Sequence, residues 1–141
     1  MEIKKANTQS DYFSVMMIRT HVFMCEQSVD PMIELDEEDK TCHHYLLINE
    51  EQPIGCLRVI EQDKDTWHLG RIAILKEYRS KHFGSFLLEQ IEKMAKEKNI
   101  KKLELGAQIQ ALSFYERNGF ARIGNPYEEA NIQHLNMEKV I

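Results

Sequence analysis

Between Leu69 and Ala95 the chain reads LGRIAILKEYRSKHFGSFLLEQIEKMA, and no other stretch restricts the fold as much. Leu69 to Leu75 is a short apolar strand with β-branched Ile72 and Ile74. A basic turn follows, Arg79-Ser80-Lys81-His82-Phe83-Gly84-Ser85. After it Phe83, Phe86, Leu87, Gln90, Ile91, Met94 and Ala95 recur at helical three- and four-residue steps, leaving most of one face apolar. A strand, a glycine-bearing basic loop and a helix start are suited to holding phosphates. The first turn of a helix offers unpaired backbone N–H groups and the positive end of the dipole. Arg79 and Lys81 add donors and charge in the same turn. The segment is neither a Walker loop nor a G-x-G-x-x-G fingerprint. Taken alone, it fits a solvated basic loop equally well.

The rest of the chain supplies a sheet for this unit. Residues 2–6 form a short edge strand, and Thr8 or Ser10 caps a helix through Phe23. Pro31 disfavours a continuing helix. Glu34-Leu35-Asp36-Glu37-Glu38-Asp39 is too polar for core and reads as a solvated acidic face, or as an acidic rim near a cationic substrate. His44 to Asn49, Ile54 to Ile60 and Trp67 to Leu75 make an antiparallel meander with short turns. The crossover helix ends near Lys98-Asn99, Lys102 to Ala107 alternates as a strand, and a short helix runs from Ala111 to Arg117. Phe120 to Ile123 and His134 to Lys139 close the chain as a hairpin pair. The expected class is α+β, a mixed and mainly antiparallel sheet flanked by helices.

Composition narrows the function. A chain of 141 residues fits one domain over residues 1–141. It has no apolar run near the ~20 residues of a membrane span and no signal-peptide core, so a cytoplasmic location without membrane partners is expected. Three scattered cysteines, Cys25, Cys42 and Cys56, form no C-x-x-C pair and read as reduced thiols. The net charge of −5 argues against nucleic acid as a partner. The basic loop is therefore local, suited to a small anionic ligand.

Arg79-x-x-His82-x-Gly84, following Gly70-Arg71-Ile72-Ala73-Ile74, resembles the acetyl-CoA loop of the GNAT N-acetyltransferases, with His82 in a glycine slot. Gln108-x-x-Ala111-x-x-Phe114-Tyr115-Glu116-x-Asn118-Gly119-Phe120 is similar to a second motif of that family. Arg19-x-x-Val22-Phe23-x-x-Glu26-Gln27, then Glu34-x-Asp36-x-x-Asp39 and His43, resembles its ElaA/YjcF-like branch. The resemblance implies the acyl-CoA N-acyltransferase fold. It also implies acetyl-CoA as co-substrate without a metal, held by Ile72, Ala73, Ile74, Arg79, Ser80, Lys81, His82, Phe83, Gly84, Ser85, Gln108 and Tyr115. A homodimer stays open.

The implied reaction is direct transfer of an acetyl group, in a ternary complex, to a primary amine of a small polar metabolite such as an amino acid or amino sugar. Tyr115 would be the acid that protonates the departing thiolate. As a residue on its own, it fits the apolar side of a helix just as well. The base is His68, Glu26 or a water chain; His68 is otherwise an ordinary strand histidine beside Trp67. Arg19 and Arg71 would meet a substrate carboxylate, or pair instead with the acidic loop. His82 would either sit in an ordinary helical first turn with its imidazole on phosphate, or lower the affinity for the cofactor. Rival functions are a non-catalytic CoA-binding regulatory module and a protein or peptide lysine acetyltransferase.

Overall fold

Seven stretches of alternating residues form one sheet in the order β1-β2-β3-β4-β5-β7-β6, in a computed structural model that describes Met1–Ile141. β1 (Glu2–Lys5), β2 (His43–Asn49), β3 (Gln52–Glu61) and β4 (Thr66–Ile74) run antiparallel to one another. α3 (Phe83–Glu97) then carries the chain over to β5 (Lys102–Gln108), which lies parallel to β4. β6 (Ala121–Glu129) and β7 (Ile132–Val140) form the closing hairpin, with β7 inserted beside β5.

Strand alternation sends neighbouring residues to opposite faces. Leu47, Leu57, Leu69, Leu103 and Leu105 pack with Leu87 and Ile91 of α3 and Leu112 of α4 (Leu112–Arg117). On the other face Leu46, Cys56 and Ala73 pack with Val15, Ile18 and Val22. Val15 and Ile18 belong to α1 (Gln9–Arg19), which opens on a capping box between Thr8 and Asp11.

Three local features differ from expectation. The first helix does not run on as an α-helix to Phe23. It widens into a π-helical segment over Thr20–Glu26, a distinction that the apolar spacing of two turns does not resolve. The final hairpin is longer than its apolar residues suggest. Pro126 sits inside β6, tolerated because β6 is an edge strand whose register breaks between Ile123 and Tyr127. The two-residue turn is Ala130-Asn131, both at positive φ (53° and 62°). Finally, the segment Glu34–Asp39 is a solvated face only in part: Glu37 and Glu38 are exposed, whereas Glu34 is buried and Asp36 and Asp39 are half-buried. α2 (Pro31–Glu34) and the turn Glu37–Lys40 tuck it against β3 and β4, as described below.

Candidate active site

The parallel pair β4–β5 shares register only over Thr66–Leu69 and Lys102–Leu105. Beyond Leu69 and Leu105 the two strands separate, β4 continuing to Ile74 and β5 to Gln108. Backbone groups on the facing edges lose their ladder partners there, and buried N–H and C=O groups seek a partner. The split opens a cavity of about 480 Å3 whose lining includes Ile72, Ala73, Ile74, Arg79, Gln108 and Tyr115. Its other half is lined by Arg58, His68, Gly70, Arg71 and the β6–β7 hairpin.

β4 is bulged where it borders the cavity. Arg58 of β3 pairs with Gly70 and Cys56 with Ala73, so Arg71 and Ile72 together oppose Leu57 alone. Arg71 takes φ of 49°, a left-handed conformation that costs a non-glycine residue about 1–2 kcal/mol. Its guanidinium pins it there, donating to the Glu34 carbonyl (2.8 and 3.2 Å) and to Asp36 (3.3 Å). Both bulged residues, Arg71 and Ile72, border the cavity.

Past β4 the basic loop leads into α3. Ser80 (φ 62°) and His82 (φ 66°) are both left-handed, and His82 is the residue at which α3 begins. His82 therefore does not take the helical first-turn conformation expected from sequence. It adopts the backbone that a glycine would supply there, at a cost in strain. His82→Gly is expected to raise stability by about 1 kcal/mol, measured by urea unfolding, because it relieves that strain while adding unfolded-state entropy. The Phe86 amide bonds the His82 carbonyl (3.1 Å), closing the first turn and leaving the amides of Phe83, Gly84 and Ser85 without intrahelical partners. Gly84 has a packing role too: a Cβ there would lie 3.0 Å from the Phe114 ring of α4.

Arg79 does not point freely into solvent. Its Nε donates to the Ile74 carbonyl (2.8 Å), and its two terminal nitrogens donate to the Glu26 carboxylate (2.7 and 2.9 Å). The hydrogen bonds from Arg79 hold the Glu26 carboxyl below its ordinary range. Next to Glu26, Gln27 accepts a hydrogen bond from the Gln108 side chain (2.8 Å), and Gln110 donates to Gln108. The end of the π-helical segment thus spans the split between β4 and β5. Glu26 is exposed and does not line the cavity, whereas Gln27 does.

Tyr115 is 8% exposed, packed edge-on against Phe114 and Phe120. Its ring belongs to the core, and its hydroxyl has no protein hydrogen-bond partner where Tyr115 borders the cavity. Burial pushes its pKa up, so it stays a proton donor across the neutral range. His68 lines the same cavity from β4. Burial lowers its pKa, partly offset by Glu104, its register partner on β5. The imidazole is consequently neutral at pH 7 and ready to accept a proton.

Arg19 lies elsewhere. It is fully buried (0% exposed), donating to both oxygens of Glu34 (2.6 and 3.0 Å) and both of Asp39 (2.7 and 3.0 Å). It does not border the cavity, so a substrate carboxylate finds it already engaged; of the two uses weighed for it, pairing with the acidic segment is the one realised. Glu34 is 1% exposed. Arg58, which the sequence did not single out, donates to Asp36 (2.7 and 2.9 Å) and Asp39 (2.9 Å). Three arginines thus balance three carboxylates. Burial works to raise the Asp39 pKa, but hydrogen bonds from Arg19, the Asp36 backbone and Arg58 hold it well below the carboxylate range. Of the cysteines, Cys56 is buried, with its thiol pushed up to about 12 by burial, whereas Cys25 is exposed and does not pack. Sequence reasoning gave Gln27 no role beyond its place in the branch motif and missed Tyr127 and His134; the last two stack with ring centroids 5.6 Å apart on the hairpin wall. The one available signal was for Arg58, a lone charge within the apolar run Ile54 to Ile60.

Residues 10–141 match a family model described as an acetyltransferase (GNAT) domain. YjcF, an uncharacterized N-acetyltransferase of Bacillus subtilis, is 30% identical, with 95% of this chain and 96% of YjcF covered. The crystal structure of Escherichia coli ElaA superposes with a TM-score of 0.80 at 22% identity, covering 99% of both chains. An aminoglycoside 6′-N-acetyltransferase complexed with coenzyme A superposes with a TM-score of 0.81 at 13% identity, over 99% of this chain and 97% of that one.

Proposed function

This chain belongs to the GNAT acetyltransferase family, and from that premise we propose that it transfers the acetyl group of acetyl-CoA directly to a primary amine of a small polar metabolite, in a ternary complex. The observation that carries the proposal is the split between β4 and β5, with a bulged strand on one side and the Tyr115 hydroxyl within the same cavity. The structural neighbour solved with coenzyme A shares this fold, which supports the same co-substrate here.

The parts fit the group they would hold. The free amides of Phe83, Gly84 and Ser85 would hold the diphosphate, with Ser80, Lys81 and His82 in the same turn, and Arg79 would join them on leaving its pair with Glu26. The thioester arm lies along Ile72, Ala73 and Ile74, and Gln108 faces it from β5. A free aliphatic amine has a pKa near ~10.4, so its neutral fraction at pH 7 costs about 4–5 kcal/mol to draw on. His68 takes that proton, directly or through water. The amine nitrogen then bonds to the thioester carbon, amides at the bulge stabilise the oxyanion, and the C–S bond breaks. Tyr115 gives its proton to the departing sulfur, and the second proton that the nitrogen sheds as the amide forms restores the Tyr115 hydroxyl. Arg71 borders the acceptor side, Glu26 stays outside the cavity in its pair with Arg79, and residues 1–141 act as one domain in the cytoplasm.

Two measurements test the proposal. Acetyl-CoA at 100 times its dissociation constant is expected to stabilise the fold by about 2.7 kcal/mol in thermal unfolding, and no shift at millimolar concentration would count against the site. The kcat/KM profile is expected to rise through an apparent pKa below the ordinary ~6.5 of histidine, because burial lowers the His68 value. His68→Gln should remove that limb while leaving coenzyme binding intact. A limb that persists in the variant assigns the base elsewhere.

A further inference from the structure

Charge is divided unevenly over the cavity wall. Arg58, Arg71 and Glu34 belong to the balanced cluster of arginines and carboxylates, and Arg79 is engaged by Glu26. Glu129, on the β6–β7 hairpin, is the exception. Its exposed carboxylate lines the cavity and has neither an ion pair nor a hydrogen bond. Burial lowers the His68 pKa while Glu104 and Glu129 work to raise it, so the hairpin carboxylate lies near that imidazole.

Packing within the hairpin holds this carboxylate over the cavity. Register pairs Tyr127 with His134 and Glu129 with Ile132, so strand alternation puts the four side chains on one face, and all four line the cavity. The Tyr127 ring stacks on His134, and its hydroxyl donates to Asn136 (2.8 Å). Gly106 of β5 makes room for it: a Cβ there would collide with the Tyr127 hydroxyl. Tyr127, His134 and Ile132 form an aromatic and apolar strip that ends at a free carboxylate. Methylene groups pack on such a strip, and aromatic faces and a carboxylate both attract an ammonium.

The bulge end of the cavity has the opposite character. Burial, then the charges of Arg58 and Arg19, lower the Arg71 pKa, so positive charge is disfavoured there. An amine at the bulge is held in the neutral form that attack requires. The unpartnered Tyr115 hydroxyl, on a residue 8% exposed, opens onto the same cavity. One cavity therefore joins an end suited to a neutral amine and an end suited to a cation.

We propose that the acceptor is an aliphatic diamine: one nitrogen reacts at the bulge, the methylene chain lies along Tyr127, His134 and Ile132, and the second nitrogen, still an ammonium, pairs with Glu129. This rests on the acetyl-transfer function above and narrows its acceptor. Glu129 binds and orients, and no bond changes at the second nitrogen.

The test uses the full chain with acetyl-CoA and straight-chain acceptors of increasing length, matched in triplets. Each triplet is a diamine, the monoamine of the same chain, and the amino acid with a carboxylate in place of the second amine. The expected order of kcat/KM is diamine, monoamine, amino acid. Diamine and monoamine should differ by about fivefold after correction for the two equivalent ends, the upper range for an exposed ion pair. Glu129→Gln should fold and bind CoA, because the carboxylate has no partner within the protein, and should remove the diamine advantage. The substitution also changes the field at His68, but that acts on all three compounds alike, so their ratio isolates the subsite. Equal use of diamine and monoamine at every length, or an unchanged ratio in Glu129→Gln, overturns the inference. A second arm measures diamine binding to the CoA complex by titration calorimetry, where no transfer occurs. Affinity should fall in Glu129→Gln by about the same factor; equal affinity in the two proteins overturns the inference even where transfer is seen. Absence of transfer to every amine would overturn the enzymatic proposal, while calorimetry still decides the subsite.

Discussion

Tyr115→Phe is expected to lower kcat by about 10²–10⁴-fold while leaving the dissociation constant for acetyl-CoA nearly unchanged. The substitution removes one oxygen that has no partner within the protein and keeps the ring that packs on Phe114 and Phe120. Fold stability should thus hold, and urea unfolding of the variant is the control. The expected loss resides in kcat because the proton is needed only as the C–S bond opens. Turnover equal to wild type would remove Tyr115 from the chemistry and leave it as a core residue. Retained CoA binding with no measurable activity in the wild type would instead favour a regulatory coenzyme-binding module.

Arg19→Met is expected to destabilise the fold by about 3–5 kcal/mol, read from urea midpoints at pH 7. Removing this guanidinium leaves the Glu34 carboxylate, 1% exposed, with Arg71 Nε at 3.3 Å as its remaining charged partner, and strips two hydrogen bonds from Asp39. The ion cluster also makes stability depend on acid. Asp36 and Asp39 have folded pKa values below their unfolded ones, Asp36 chiefly through its hydrogen bonds from Arg58. Their contribution is complete above the unfolded value near ~3.9 and is lost as pH falls toward the folded values. Wild type should therefore lose stability steeply below about pH 4, and Arg19→Met, already lacking part of the pairing, should lose less over the same interval. Parallel pH curves for the two proteins would mean that the cluster is not what acid dissolves.

The features that sequence conveyed were local ones. The strand, basic loop and helix around Arg79, and Tyr115 on its short helix, each declare themselves within about a dozen residues through periodicity and turn chemistry. The meander and the crossover to a parallel strand followed from element order. The features that sequence concealed depend on partners distant along the chain. Arg19 meets Glu34 and Asp39 across 15 and 20 positions, and Arg58 meets Asp36 across 22. Charged residues are almost never fully buried unless paired, so a run such as Glu34–Asp39 reads as surface until its arginines are found. His82 was misjudged for a related reason: nothing in one sequence states that a loop demands positive φ when a non-glycine residue meets the demand.

The short shared register of β4 and β5 has a mechanical consequence. Across this seam the sheet itself is paired only from Thr66–Lys102 to Leu69–Leu105. What holds the four-stranded and three-stranded sides together is the side-chain layer on one face, where Leu57 and Leu69 share a cluster with Leu87, Ile91, Leu103 and Leu105. Thinning that layer, more than loosening the ladder, is therefore what would let the two sides part.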